Sequence, residues 1–365
     1  MSHSKSRYLR LYEELSSSIR KQQYVAGDML PTEAELCERY KVSRPTVAKA
    51  LNLLVKEKLV HRRSGFGTQV LGPGKSALKV GLLIPQLQEI EIFDPICASL
   101  IESAGMEAMR IVRPTELSLK LDPRTMAETL TERFIEEKVH GVFFTPIEHI
   151  PCQQDFNLKI IRRLREKGIE VVLLDRDVYA WPRQTPHDLV GIDNIEAGYV
   201  MCGHLIENGC RNLAFVSAPD AAMTVELRRI GSREALVHNG RRGRDLKDVN
   251  LVVDQPEKTA KQLIKDKVDG VICANDVTAA PLLRALIDLG AEIPSKVKVC
   301  GFDDVKYASL LSVPLTSYHQ PCVDIGKVAA RVMLNRIKNP QSPYCRIALT
   351  GSIIVRSSSS APAKK

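Results

Sequence analysis

Ser43, Arg44 and Thr46 fall in the run Ser43-Arg44-Pro45-Thr46-Val47, and side chains of these types at this spacing could read a nucleic acid. The planar guanidinium of Arg44 can donate two bonds to the O6 and N7 edge of guanine, whereas the hydroxyls of Ser43 and Thr46 suit phosphate oxygens. That chemistry requires the run to open a helix, because a helix N-terminus offers unpaired backbone donors and the positive end of its dipole to phosphate. The residues allow it. Ser43 is a good N-cap, Pro45 is tolerated in a first turn, and Val47, Ala50, Leu51, Leu54 and Val55 follow as a buried face. An isolated S-R-x-T is a weak signal, so its surroundings decide.

The elements around it have the right order. Tyr8, Leu11, Tyr12, Leu15 and Ile19 recur at helical spacing, which predicts a first helix running to about Gln22. After the break at residues 25–28, Thr32 and Glu35 are placed for a capping box on a short helix ending near Tyr40. The helix from Ser43 comes third. Leu59–Arg63 and Gly67–Leu71 then read as two strands joined at Ser64-Gly65-Phe66, a basic hairpin. Helix, short helix, helix, hairpin is the winged helix-turn-helix order. The charge agrees: residues 1–72 hold 13 basic and 7 acidic side chains, or +6 of the total +9, against 39 and 36 in the remainder. Such asymmetry points to a polyanion partner for the small module.

The 365 residues, 44% hydrophobic and 26% charged, are enough for two or three domains. A Gly- and Pro-containing stretch predicts a linker at 72–78 between a first domain at 1–71 and a larger body at 79–357, and SSSAPAKK predicts a disordered tail at 358–365. In the body, Lys79–Ile84, Gly141–Phe144, Glu170–Leu174, Leu213–Val216, Gly270–Cys273 and Lys298–Gly301 read as buried parallel strands with crossover helices between them. The expected class is α/β, with two lobes. No G-x-G-x-x-G follows these strands and no G-x-S-x-G appears, so the chain is not expected to be an enzyme. His61, His204 and His319 lack the i, i+4 pairing of a helical metal site, and neither metal nor cofactor is expected. The nine cysteines are odd in number and never spaced C-x-x-C, which predicts reduced, half-buried thiols. A charged N-terminus and the lack of a membrane-length apolar run place the chain in the cytoplasm.

Residues 7–71 resemble the N-terminal domain of GntR-type transcriptional regulators. The likeness is carried by residues 24–33 (YVAGDMLPTE), residues 42–47 (VSRPTV), Ala50-Leu51 and Gly65-Phe66-Gly67-Thr68. It implies a wing whose small residues enter the minor groove, so Gly65 and Gly67 join Ser43, Arg44 and Thr46 as candidate DNA contacts. Thr32, Lys49 and Arg62 complete that set. Ala48 stands where the family usually has a second arginine, which puts base preference in doubt; Lys49 compensates only electrostatically, from another face of the helix.

Residues 79–357 resemble the sensor domain of LacI and GalR-type repressors, which is similar to periplasmic sugar-binding proteins. The residues that carry this are 173–177 (LLDRD), 190–194 (VGIDN), 204–206 (HLI), 273–276 (CAND), 299–304 (VCGFDD), 314–316 (PLT), 325–326 (IG) and 355–357 (VRS). A reading head of the first type on a sensor of the second is the combination found in arabinose-responsive repressors. The likeness weakens between Pro85 and Pro114. It implies a cleft in which Arg228, Asn275 and Asp303 meet vicinal hydroxyls, with Asp175 and Gln320 as further contacts; Arg229 is an adjacent rival if the register slips. Such planar partners fit a sugar, whose buried hydroxyls each cost about 1–3 kcal/mol if left unpaired. Phe93 and Trp181 are candidates for stacking on the sugar ring, Asp193 and Asp304 are read as strand-end or capping groups, and His319 is a further residue for the cleft wall.

The expectation is a repressor that binds a palindromic double-stranded operator as a homodimer, away from membranes, with its affinity controlled by a small carbohydrate. Two alternatives remain: a regulator responding to a purine or other non-sugar metabolite, and a metabolite-binding protein with a vestigial DNA-binding head.

Overall fold

The computed structural model describes residues 7–20, 23–24, 27–63, 66–71, 78–85, 91–107, 109–114 and 121–360, and it divides near residue 79 into two compact units. The first holds α1 (Arg7–Arg20), α2 (Glu33–Tyr40), α3 (Arg44–Lys56), β1 (Val60–Arg63) and β2 (Gly67–Val70). Leu11, Leu15 and Ile19 bring one stripe of α1 onto a core shared with Leu36, Val47, Ala50, Leu51, Leu54, Val60 and Val70. Val55, expected in that face, is instead 39% exposed. Positions 47, 50, 51 and 54 already complete the stripe, and the next residue turns about 100° away from it.

The helices α2 and α3 start differently. Thr32 caps α2 through a capping box: its hydroxyl accepts the Glu35 N–H at 3.3 Å and the Glu35 carboxylate accepts the Thr32 N–H at 2.7 Å. Ser43 occupies the N-cap position of α3 with extended backbone, but its hydroxyl makes no capping bond and lies 2.9 Å from the Thr46 hydroxyl. The two strands pair antiparallel, Val60 opposite Val70 and Arg63 opposite Gly67. Wing residues 64–65 and the expected linker up to residue 77 lie outside the described residues, and Leu78, its last expected residue, already begins a strand.

The second unit contains two six-stranded sheets. The first lobe is built from β3 (Leu78–Leu83), α4 (Phe93–Met106), β4 (Met109–Val112), α5 (Pro123–Glu136), β5 (Gly141–Phe144), α6 (Gln153–Arg165), β6 (Glu170–Leu174) and β7 (Asp188–Ile192). The second holds α7 (Asn194–Glu207), β8 (Leu213–Ser217), α8 (Met223–His238), β9 (Lys247–Asn250), α9 (Pro256–Lys265), β10 (Gly270–Cys273), α10 (Asp276–Asp288), β11 (Lys298–Asp303) and β12 (Thr316–His319). The chain then returns to the first lobe for α11 (Cys322–Lys338) and β13 (Arg346–Leu349), and crosses once more to β14 (Ser352–Ile354). The sheet orders are β13-β7-β6-β5-β3-β4 and β14-β12-β11-β10-β8-β9. Three crossings thus join the lobes, near Asp193, Gln320 and Gly351.

The six predicted apolar runs are all strands, and three of them, β5, β6 and β10, have the expected bounds. The strands that no apolar run announced include all four sheet edges, β4, β9, β13 and β14. An edge strand is covered on fewer sides, so its residues need not be uniformly apolar; β13 alternates exposed and half-buried positions. The tail expectation needs correction for residues 358–360. Ser358 and Ser359 are fully buried. Ser358 Oγ accepts the Thr316 N–H at 2.8 Å and donates to the Val299 carbonyl at 2.6 Å, while Ser359 Oγ lies 2.7 Å from both Thr316 Oγ1 and His204 Nε2. These serines hold their place by satisfied hydrogen bonds, a signal that apolar periodicity cannot carry. Residues 361–365 lie outside the described residues.

Candidate functional site

In the first unit the polar side chains at the start of α3 face solvent. Ser43 and Arg44 are exposed, Thr46 is half-buried, and Arg44 makes no ion pair or side-chain hydrogen bond among the described residues. Other members of the expected set are engaged. Thr32 is committed to its capping box, and Arg62 is ion-paired with Glu33 and donates to Asn52 Oδ1 at 3.1 Å. The Lys49 ammonium lies 5.2 Å over the Tyr8 ring, turned toward α1. Gly67 has φ +96, and a Cβ there would come within 2.8 Å of Met29 Cε. Gly65 lies outside the described residues. Phe66, beside it at the wing tip, was not singled out from the sequence; it is 72% exposed, with the Arg63 guanidinium 4.8 Å from its ring. An apolar residue between two hairpin glycines was the available signal.

The second unit contains a buried polar set between its lobes. A Cβ on Gly198 of α7 would stand 1.9 Å from the Arg228 carbonyl, and one on Gly231 of α8 would stand 1.8 Å from that of Ile195, so the two helices touch through their glycines. That approach seats Arg228, which is 3% exposed, beside Asn194 and under the ends of the sheet. Its Nε donates to Asn194 Oδ1 at 2.9 Å, its Nη1 to the Ala274 carbonyl at 2.6 Å, and its Nη2 lies 3.4 Å from Asp303 Oδ1. Arg229 points elsewhere, to Glu226 and Asp248, so Arg228 is the arginine that meets Asp303.

Asp303 ends β11 in a left-handed conformation, φ +100, and also accepts from Gln320 Nε2 at 2.7 Å. Burial raises its pKa, and Arg228 and Gln320 only partly offset that effect. Gln320 is 1% exposed and its Oε1 has no partner among the described residues, leaving a buried acceptor. Asn275 caps α10 by accepting the Thr278 N–H at 2.8 Å, which leaves its amide donors for other use. Next to it Asp276 is fully buried and accepts from Ser317 Oγ at 2.7 Å and the Val305 N–H at 3.1 Å. Burial, with Asp303 adding to it, pushes the Asp276 carboxyl up to about 8.

The first lobe contributes Asp175 and Arg176, each 5% exposed, at the end of β6. Asp175 adopts φ +68 and accepts from Arg176 Nε at 2.9 Å. Phe93 is wholly buried with the Arg176 guanidinium 5.8 Å from its ring centre, so it shows no exposed face for stacking. Trp181 lies in the loop after β6, 48% exposed, with its backbone N–H 3.4 Å from Met223 Sδ of the second lobe. Sequence reasoning missed Arg176 and Glu148, whose carboxylate pairs with it. Asp193 caps α7, and Asp304 pairs with Arg356 and lies 3.0 Å from His319 Nδ1. Six of the nine cysteines are buried and all are free, while Cys152 and Cys345 are exposed. Among the described residues, no group of three or more His, Cys, Asp or Glu could hold a metal, and no helix is long and apolar enough to cross a membrane.

Comparison with known proteins agrees with this division. Residues 7–70 match the family described as bacterial regulatory proteins, gntR family, and residues 202–359 match the periplasmic binding protein-like domain. The HTH-type transcriptional regulator MalR of Streptomyces coelicolor is 24% identical over 330 residues, 88% of this chain and 90% of that protein. An arabinose metabolism transcriptional repressor of Geobacillus stearothermophilus is 24% identical over 352 residues, 91% of each. Among solved structures, a CelR–cellobiose complex covers 87% of this chain and 92% of its own at a TM-score of 0.65 and 23% identity. A ribose-bound LacI family regulator from Enterococcus faecalis covers 78% of this chain and all of its own at 0.62 and 23%; both show the same fold. With residues 7–70 and 202–359 so matched, the chain is a transcriptional regulator that joins a GntR-type DNA-binding domain to a periplasmic-binding-protein-like sensor domain.

Proposed function

We propose that the chain represses transcription by binding a palindromic operator as a homodimer, and that a small neutral carbohydrate in the interlobe cleft sets its affinity. The observation that carries this reading is the Arg228–Asp303–Gln320 set, a desolvated cluster of planar donors and acceptors with the Gln320 Oε1 still unpaired. A polyol offers each hydroxyl as both donor and acceptor, which suits such a cluster. The charges argue for neutrality in the ligand, because Arg228 faces Asp303 and Arg176 faces Asp175 and Glu148, leaving no unpaired buried cation among the described residues of the cleft to meet a phosphate or carboxylate. Similar proteins support the class: one is an arabinose metabolism repressor, one a ribose operon repressor, and one solved structure holds cellobiose.

In this reading the chain acts in the cytoplasm by binding alone and catalyses nothing. Arg44 reads a base, Ser43 and Thr46 hold phosphates, and the wing glycines approach the minor groove. The sugar changes operator affinity only as far as it and the DNA prefer different lobe arrangements. Thermal-shift screening against pentoses, hexoses and disaccharides tests the effector, since a specific ligand raises Tm by mass action. A salt titration of binding to duplexes enriched from a randomised pool tests the head, with a steep loss of affinity expected. Equal affinity for enriched and random duplex, unmoved by every sugar, would overturn the reading.

A further inference from the structure

One buried carboxylate is shared between the lobes of the sensor. Glu148 follows β5 in the first lobe, where its Oε1 lies 2.5 Å from Arg176 Nη1. Its Oε2 accepts the N–H of Ala222 at 2.8 Å, and Ala222 is the N-cap of α8 in the second lobe. The same helix presents Arg228 less than two turns further on. A single side chain, 8% exposed, therefore joins the arginine beside Asp175 to the helix that carries the arginine beside Asp303. Burial opposes its charge, yet Arg176 first and then His149 hold its pKa below the usual carboxylate range. The start of a 16-residue helix favours an anion there as well. The backbone alongside is also bridged: the His149 N–H donates to the Asp220 carbonyl at 3.0 Å, and His149 Nδ1 lies 2.9 Å from the Pro219 carbonyl.

We infer that Glu148 is a positioning residue that holds the two lobes closed without effector and ties Arg176 to the N-terminus of α8. Parting the lobes breaks the Ala222 bond and exposes the ion pair to water. Opening is therefore disfavoured in the free protein, and a ligand that touches either arginine acts on a bridge already in place. The inference concerns the cleft of the proposed function, but its test needs neither DNA nor sugar, so either can fail alone.

Trp181 is the one tryptophan of the chain, and it lines one pocket together with Met223, Thr224 and Leu227 of the second lobe, so its emission reports their separation. Acrylamide quenching of Trp181 in the full chain, at a temperature where circular dichroism shows the variants folded, is expected to rise about 1.5-fold or more in Glu148→Ala. Glu148→Gln keeps an acceptor for the Ala222 N–H but loses the charge facing Arg176, and is expected to fall between wild type and Glu148→Ala. It also serves alone if Glu148→Ala does not fold. Wild-type quenching in Glu148→Ala, or in Glu148→Gln where only that variant folds, overturns the inference even if Tm falls, because the carboxylate would then contribute stability without setting closure.

Discussion

The two units of this regulator arrange the side chains proposed to do their work in opposite ways. In the reading head Arg44 stands in solvent and unpaired among the described residues; in the sensor Arg228 is 3% exposed and bonded on every side. The difference is what the proposed partners would require. A duplex brings its own dense charge to the protein surface, so an exposed guanidinium loses little on binding and gains from counterion release. A neutral ligand enclosed in a cleft must leave water, and only groups already paired and oriented can replace that water without leaving buried charges alone. Salt should therefore govern the first interaction and hardly touch the second.

The largest expected effect that sharpens this contrast is at Arg228. Arg228→Ala strips Asp303 of its cation inside the fold, and unfolding in urea is expected to show a loss of about 3–5 kcal/mol, part of it relieved by protonation of Asp303. The thermal shift by sugar disappears, while operator binding by folded protein persists. Arg44→Ala comes next: stability is unchanged and discrimination between enriched and random duplex drops by about 1–3 kcal/mol in competition binding. Equal weakening on both duplexes would show that Arg44 holds phosphate, and the contrast with Arg228 would lose its base-reading half.

Asp276 gives a pH signature to the sensor. Its ordinary value of 3.8 rises to about 8 in the fold, so the folded state holds a proton that the unfolded state has released between these values. Its contribution is fully present below about 4 and is lost as pH rises toward 8. The slope of unfolding free energy against pH in that window should flatten in Asp276→Asn. Lys49→Ala is expected to do least, reducing the salt slope of DNA binding by at most about 1, since its ammonium already rests over Tyr8. A larger drop would mean that the lysine leaves α1 to meet the duplex.

Legibility differed between the regions for a related reason. The capping box at Thr32, the stripe from Val47 to Leu54 and the hairpin on either side of the wing tip are local, and each could be read within a few residues. Central strands such as β5 and β10 were equally plain, because a parallel strand covered on both faces is a continuous apolar run. The cleft was readable only as a resemblance. Nothing near residue 148 says that its carboxylate meets residues 176 and 222, or that Ser358 and Ser359 fill a gap beside Thr316. Phe93 shows the limit from the other side, since an apolar residue expected to face a ligand lies beneath Arg176.

The sequence by itself determined the charge asymmetry, the order of elements in the head, the inner strands of both sheets and the residue types able to read DNA or bind a polyol. These depend on periodicities and caps that act over one or two turns. Only the tertiary structure decided which arginine of Arg228 and Arg229 faces Asp303, which hydroxyls are already spent, and that Glu148 belongs to both lobes. Those outcomes depend on contacts between residues far apart in the chain, made possible by close approaches such as Gly198 against Arg228 and Gly231 against Ile195, and burial then turns a few such contacts into strong constraints.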